Sequence, residues 1–326
     1  MQAIDCQLHW YPEKFLEWCL DRTSFPRCRR SGDGYAYELA PDVFLEFEGA
    51  MIDLEQLFER MSAGGVDVLI GSSEPALDVT GWPVEEAPEA ARRLNELKAE
   101  AQRENAGRFY GLATVPMQDP DAAIAELEHA IDGLGLVGVC IPSNFNGSPI
   151  TSPELLPVYK KMEELQAPLF LHPTRSIANE RLPDYGLEFA IGYMFDTSAA
   201  ALNLVFSGTM DACPDLKIVH PHLGAVLPYL ADRIDVEYST PWAGNEGFDG
   251  PPSKHLKRFY TDIVNNNPAA LRMAIDFYGI DKILYASDYP WWTPEMGFEL
   301  VNGELDESQM EKVLRGNAKQ LLRIDP

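Results

Sequence analysis

The residues able to do chemistry in this 326-residue chain stand where short apolar runs end. Asp288 follows Lys282-Ile283-Leu284-Tyr285-Ala286, a run that reads as a buried strand, and Pro290 stops its continuation. His172 closes Leu169-Phe170-Leu171, and His222 comes just after Leu216-Lys217-Ile218-Val219-His220. His9 ends a strand starting at Ala3, in which Asp5, Gln7 and His9 alternate onto one face. Of the 6 histidines in the chain, His9, His172 and His222 thus lie at strand ends. Two imidazoles and a carboxylate brought together suit a divalent ion with open positions, zinc first and manganese second. Such an ion can activate water or polarise a carbonyl or carboxylate oxygen. Each residue alone has a plainer reading: Asp288 as a turn or cap, His9 as a satisfied core histidine, His172 as a strand end. The set, not any member, points to a metal. Asp262 either faces the same pocket or caps a turn. Trp291-Trp292 either lines a pocket or seals a rim. His220 reads as structural, and His129 and His255 as surface residues.

Whether those ends meet depends on the elements between them. Strands are expected at 3–9, 66–71, 109–115, 137–141, 168–173, 216–220, 259–262 and 282–286. Helices are expected at 53–61, 87–105, 121–134, 153–165, 187–210, 225–238, 268–278 and 307–322. This alternation predicts an α/β fold, a (β/α)8 TIM-type barrel whose active groups lie on the loops after the strands. A doubly wound open sheet competes, but no GxGxxG follows the first strand. Residues 1–326 read as one barrel domain, with an insertion at about 10–50 over the end of strand 1. A hairpin is expected near Tyr35 to Phe47.

The formal net charge of −25 argues against nucleic acid or an anionic membrane as partner. An anionic substrate would need local arginine or lysine. The five cysteines (Cys6, Cys19, Cys28, Cys140, Cys213) are scattered and form no CxxC, as expected of reduced thiols in the cytoplasm. The first residues lack a basic stretch before an apolar core, so no signal peptide is expected. No apolar run approaching about 18 residues is evident, so no membrane span is expected.

Short segments in a fixed order carry a family likeness: Phe109 to Gln118, Leu169 to Pro173, Pro214 to Lys217, His222 to Ala225, Phe259 to Asp262 and Ser287 to Pro290. In these the chain resembles the amidohydrolase family 2 group, most closely its 2-amino-3-carboxymuconate-6-semialdehyde decarboxylase branch. The resemblance implies a (β/α)8 barrel, one divalent metal and a homodimer. It implies His9, His172 and Asp288 as metal ligands. It makes His222, acting with Asp288, the residue that activates the metal's water or serves as acid and base. Arg233 matches an arginine that reaches a substrate carboxylate across a dimer interface. Trp10 and Trp291 would help orient the substrate. The family's first strand reads His-x-His or Glu-x-His; here it reads Gln7-x-His9, placing a neutral amide at one ligand position. In the 10–50 segment, Leu45-Glu46-Phe47-Glu48 stands where a carboxylate-binding arginine would be, leaving Arg27, Arg29 or Arg30 as substitutes. The expected activity is decarboxylation of a small aromatic or dienoic acid without an organic cofactor. The alternatives are hydrolysis or hydration on the same scaffold, or a noncatalytic homologue.

Overall fold

The structure, a computed structural model, describes residues 2–174, 182, 184–240 and 250–326. Six parallel strands form one curved sheet in the order β1 (Ala3–His9), β5 (Val66–Ser72), β6 (Phe109–Ala113), β7 (Gly138–Pro142), β8 (Leu169–His172) and β9 (Ile218–Val219). Two more, β10 (Thr261–Asp262) and β11 (Ile283–Leu284), pair in parallel. Single bridges join the two pieces: Val219 to Tyr260 between β9 and β10, and Leu8 to Tyr289 between β1 and the chain after β11. Backbone bonds from Cys6 N to Tyr285 O and from His9 N to Tyr289 O complete the closure. The result is a closed eight-stranded parallel barrel, as the alternation predicts.

Two layers of apolar packing hold it. Ile4, Cys6, Val68, Ile70, Phe170 and Leu284 share the barrel interior with Ala318, Leu321 and Leu322 of the last helix, Asn317–Leu322. Arg315, two residues before that helix, reaches the carbonyl of Gln2, so the helix plugs the end where the strands begin. The opposite end, where the strands finish, stays available to polar side chains. Outside the strands, Leu8, Leu69, Phe109, Leu169 and Ile218 pack against the surrounding helices.

Between β1 and β5 the chain forms a helix, Glu13–Cys19, and a three-stranded antiparallel sheet of β2 (Arg27–Ser31), β3 (Gly34–Ala40) and β4 (Val43–Phe47). The hairpin expected near Tyr35 to Phe47 is β3 and β4, with β2 paired to its other edge. A separate cluster of Tyr11, Phe15, Tyr37, Phe47, Trp82 and Leu94 fastens this sheet over the barrel mouth and onto the helix Ala87–Glu104.

Several expected boundaries shift. The ladders of β9, β10 and β11 are two residues each, because their flanking residues pair through isolated bonds. The helix expected at 187–210 is broken by Gly208, whose φ of 77° lies in the left-handed region, giving Tyr193–Phe206 and Thr209–Ala212. Pro294–Glu304 is a helix that the apolar pattern does not announce, entered through a proline in its first turn. His255 is buried in Pro252–Leu256, not a surface residue.

Because Phe170 fills the interior between β7 and β9, Phe170→Ala should cost about 3–5 kcal/mol of stability, read as a lower urea midpoint.

Candidate metal centre

A one-residue irregularity in β1 decides which side chains face the barrel mouth. Asp5 pairs with Leu69 and Leu8 with Gly71, so three steps on β1 match two on β5. Before this bulge Ile4 and Cys6 point into the interior. After it Leu8 points outward into the helix layer, and the alternation turns Gln7 and His9 inward. The expectation that Asp5 shares their face is therefore corrected. Asp5 lies in register with the outward-facing Leu69, and its Oδ1 accepts from the backbone N–H of Gln7 at 3.2 Å and of Ser287 at 3.1 Å. It ties the bulge to the chain leading into Asp288. Burial pushes its carboxyl up to about 7 against these bonds.

His9, His172 and Asp288 converge, each buried, with their nearest ligand atoms all within 4.8 Å of one another. His9 Nε2 lies 2.9 Å from Asp288 Oδ1 and 3.3 Å from His172 Nε2. The other ring nitrogens are engaged elsewhere: His172 Nδ1 with the Pro173 carbonyl at 2.7 Å, His9 Nδ1 with Ser72 Oγ at 3.2 Å. With both Nδ1 atoms engaged outward, both Nε2 atoms are turned towards the Asp288 carboxylate. Outward-anchored imidazoles are how proteins aim histidines at a cation. The donor set fits a divalent ion. Burial and the neighbouring His9 depress the His172 imidazole to about 3, which keeps it neutral. Burial opposes charge on Asp288, yet contacts with His222 and His9 hold it well below the usual carboxylate range.

Asp288 itself adopts a left-handed φ of 55°. Its N–H donates to Gln7 O at 2.9 Å, and its carbonyl accepts from Trp291 N at 3.0 Å. The Gln7 side chain is also at the site, its amide nitrogen 3.4 Å from Asp288 Oδ1.

His222 approaches from another strained turn. His222 and Leu223 both adopt left-handed backbone, φ 60° and 56°, which costs energy for residues with a Cβ. Asp262 holds the turn: its Oδ1 accepts from His222 N and Val264 N, both at 2.9 Å. Of the two readings for Asp262, the cap is the one the hydrogen bonds support. His222 Nε2 then stands 3.8 Å from Asp288 Oδ2. Burial disfavours its charge, but Asp288 and Asp262 raise its pKa above the ordinary histidine value. The centre therefore has two imidazoles, His9 and His172, placed for ligation and a third, His222, suited to carrying a proton.

Over residues 4–324 the sequence matches the amidohydrolase family. This chain belongs to that family. A 2-amino-3-carboxymuconate-6-semialdehyde decarboxylase of Dictyostelium discoideum is 29% identical over 301 residues, 87% of this chain and 80% of that protein. The crystal structure of 5-carboxyvanillate decarboxylase from Sphingomonas paucimobilis superposes with a TM-score of 0.87 at 26% identity, covering 99% of each chain. A dihydroxybenzoic acid decarboxylase from Polaromonas sp. JS666, solved with manganese and the inhibitor 2-nitroresorcinol, gives 0.81 at 25% identity, covering 99% of this chain and 97% of that one.

Other expected site residues of this amidohydrolase lie further off. Trp10 does not reach the pocket: it leaves β1 on the side opposite His9, packs edge-on against Phe109 and donates its indole N–H to Ile52 O. Trp291 stands three residues past Asp288 with its side chain largely exposed at the rim. Arg233 is exposed on the helix Leu227–Tyr238, 3.6 Å from Glu237, and takes no part in the centre within one chain. Arg27 and Arg29 pair with Glu38, and Arg30 with Glu17, all on the outer sheet. They are surface ion pairs, not replacements for the missing arginine. Ser72 supports the centre without having been singled out, and Asp5 and Asp262 support it through backbone N–H groups instead of facing it. Their one sequence signal is a polar residue at or near the end of an otherwise apolar strand.

His172→Ala and Asp288→Ala should each abolish binding of one equivalent of manganese or zinc, measured by elemental analysis after gel filtration. Gln7→His should tighten zinc by about tenfold or more, since an imidazole replaces an amide at the same rim position.

Proposed function

We propose that this protein is a metal-dependent decarboxylase of a small aromatic or dienoic carboxylic acid, acting without an organic cofactor. The observation that carries this reading is the buried convergence of His9, His172 and Asp288 with His222 beside Asp288, in a chain whose named relatives are decarboxylases. His9, His172 and Asp288 would hold the ion, with Gln7 adjacent. A divalent cation there supplies positive charge to substrate oxygens. His222 holds a proton at Nε2 against the Asp288 carboxylate, on the side where a bound acid would present its reacting carbon. That proton takes the place of CO2 on the carbon, and the imidazole recovers it from water. Asp262 fixes the turn from which His222 works, and Asp5 fixes the chain before Asp288. The neutral Gln7 amide favours a hard ion, so manganese is expected to serve at least as well as zinc.

The protein should lose activity to a chelator and regain it with manganese or zinc. CO2 release from a panel of hydroxybenzoates and dienoic acids tests the reaction. Hydrolytic products, or no turnover by the reloaded protein, would overturn it. His222→Ala should retain the metal and lose at least about a hundredfold in kcat.

We further propose that the working form is a homodimer. The helical stretch Glu188–Phe206 corrects the expectation of no long apolar run: 19 residues with a mean hydropathy of 1.3 in its most apolar window, long and apolar enough to span a membrane by those measures alone. Ala200, Ala201, Leu204 and Val205 bury one face of it on the barrel, while Phe189 and Phe195 are exposed. Tyr229 and Val236, exposed on Leu227–Tyr238, belong to the helix that carries Arg233. A second copy covering these side chains would also cover the helix that carries Arg233. The five unpaired cysteines support a reducing compartment, the cytoplasm. Sedimentation should give a dimer, Phe195→Glu should dissociate it, and Arg233→Ala should lower kcat/KM with metal content unchanged.

A further inference from the structure

Tyr11 carries a hydroxyl that packing does not explain. The residue is fully buried, and its oxygen has no hydrogen-bond partner among the described residues. Phenylalanine would fill the same space without leaving a polar atom unsatisfied. The ring follows His9 by two residues and runs within 12° of parallel to the imidazole, centroids 6.4 Å apart. Both side chains therefore leave the chain in the same direction, over the barrel mouth. On its other side the ring stacks on Phe47 of β4 at 4.1 Å, and its backbone N–H is fixed to Met51 O. The small outer sheet thus clamps a phenol above the metal centre. A phenol is uncharged at neutral pH, so this hydroxyl is a neutral donor. Glu74 is occupied by Thr114 and the Ser73 N–H, leaving it little claim on that donor.

We propose that the Tyr11 hydroxyl donates a hydrogen bond to a second oxygen of the substrate, next to the reacting carboxylate, and so selects acids with an acceptor there. This assignment rests on the carboxylic-acid reading of the site. It follows from what the mouth offers. The arginines of the outer sheet are tied into surface ion pairs, so the donor that this sheet holds over the centre is uncharged. An uncharged donor suits a hydroxyl or carbonyl oxygen and gives no advantage to a second carboxylate. Tyr11 is thereby a specificity-determining residue built into the sheet that covers the mouth.

The test compares the full-length, manganese-loaded protein with its Tyr11→Phe variant, titrating 2-hydroxybenzoate and benzoate by calorimetry and following CO2 release separately. The variant should bind 2-hydroxybenzoate at least about tenfold more weakly, bind benzoate as the parent does, keep its metal, and melt no lower. Equal affinity of parent and variant for 2-hydroxybenzoate overturns the proposal. So does equal weakening of both ligands, which moves the contact to the carboxylate, and so does a parent that binds neither. If 2-hydroxybenzoate binding falls in the variant while the parent releases no CO2 from any acid, the Tyr11 contact stands and the decarboxylase reading falls.

Discussion

The centre exists because the first strand and the last are stitched together at their C-terminal ends. His9 N to Tyr289 O and Asp288 N to Gln7 O are ordinary backbone bonds, but they join positions some 280 residues apart and fix the ligand-bearing residues relative to one another. Asp5 adds a third link through Ser287. Because these bonds use the main chain, the side chains of Gln7, His9 and Asp288 are free to face the mouth. Closure of the barrel and assembly of the donor set are one event.

Local irregularity does the aiming. The bulge in β1 reverses the side-chain alternation, so an apolar interior below gives way to polar residues above. Left-handed backbone at Asp288 and at His222 turns two more side chains inward where regular structure would carry them past. Each such residue costs about 1–3 kcal/mol, and each is held by hydrogen bonds from a neighbouring strand. The polar residues that secure them, Asp5 and Asp262, each have one oxygen satisfied and the other without a partner among the described residues. At this end of the barrel strained backbone meets the chemistry, while the lower half is largely apolar packing.

Much of this was legible in the sequence. Alternating elements announced the barrel, and His9, His172, His222 and Asp288 at strand ends announced the centre. What could not be read was direction. Trp10 is next to His9 in sequence, yet it belongs to the helix layer, because one step along a strand reverses the face. The phase reversal that separates Asp5 from Gln7 leaves no mark in the alternation of residue types. His255 lies in a polar stretch and is buried only because helices from elsewhere cover it. Tyr11 reads as one aromatic among many, and nothing in the sequence marks its hydroxyl as buried without a partner among the described residues.

The distance along the chain between Gln7 and Asp288 also sets when the protein can begin to work. During synthesis Gln7 and His9 are made some 280 residues before Asp288 arrives. A nascent chain can build the early βα units progressively, but it has no complete cation pocket to fill. Metal capture is thus deferred until Asp288 has been made, and a fragment released before β11 lacks Asp288 and with it the complete donor set.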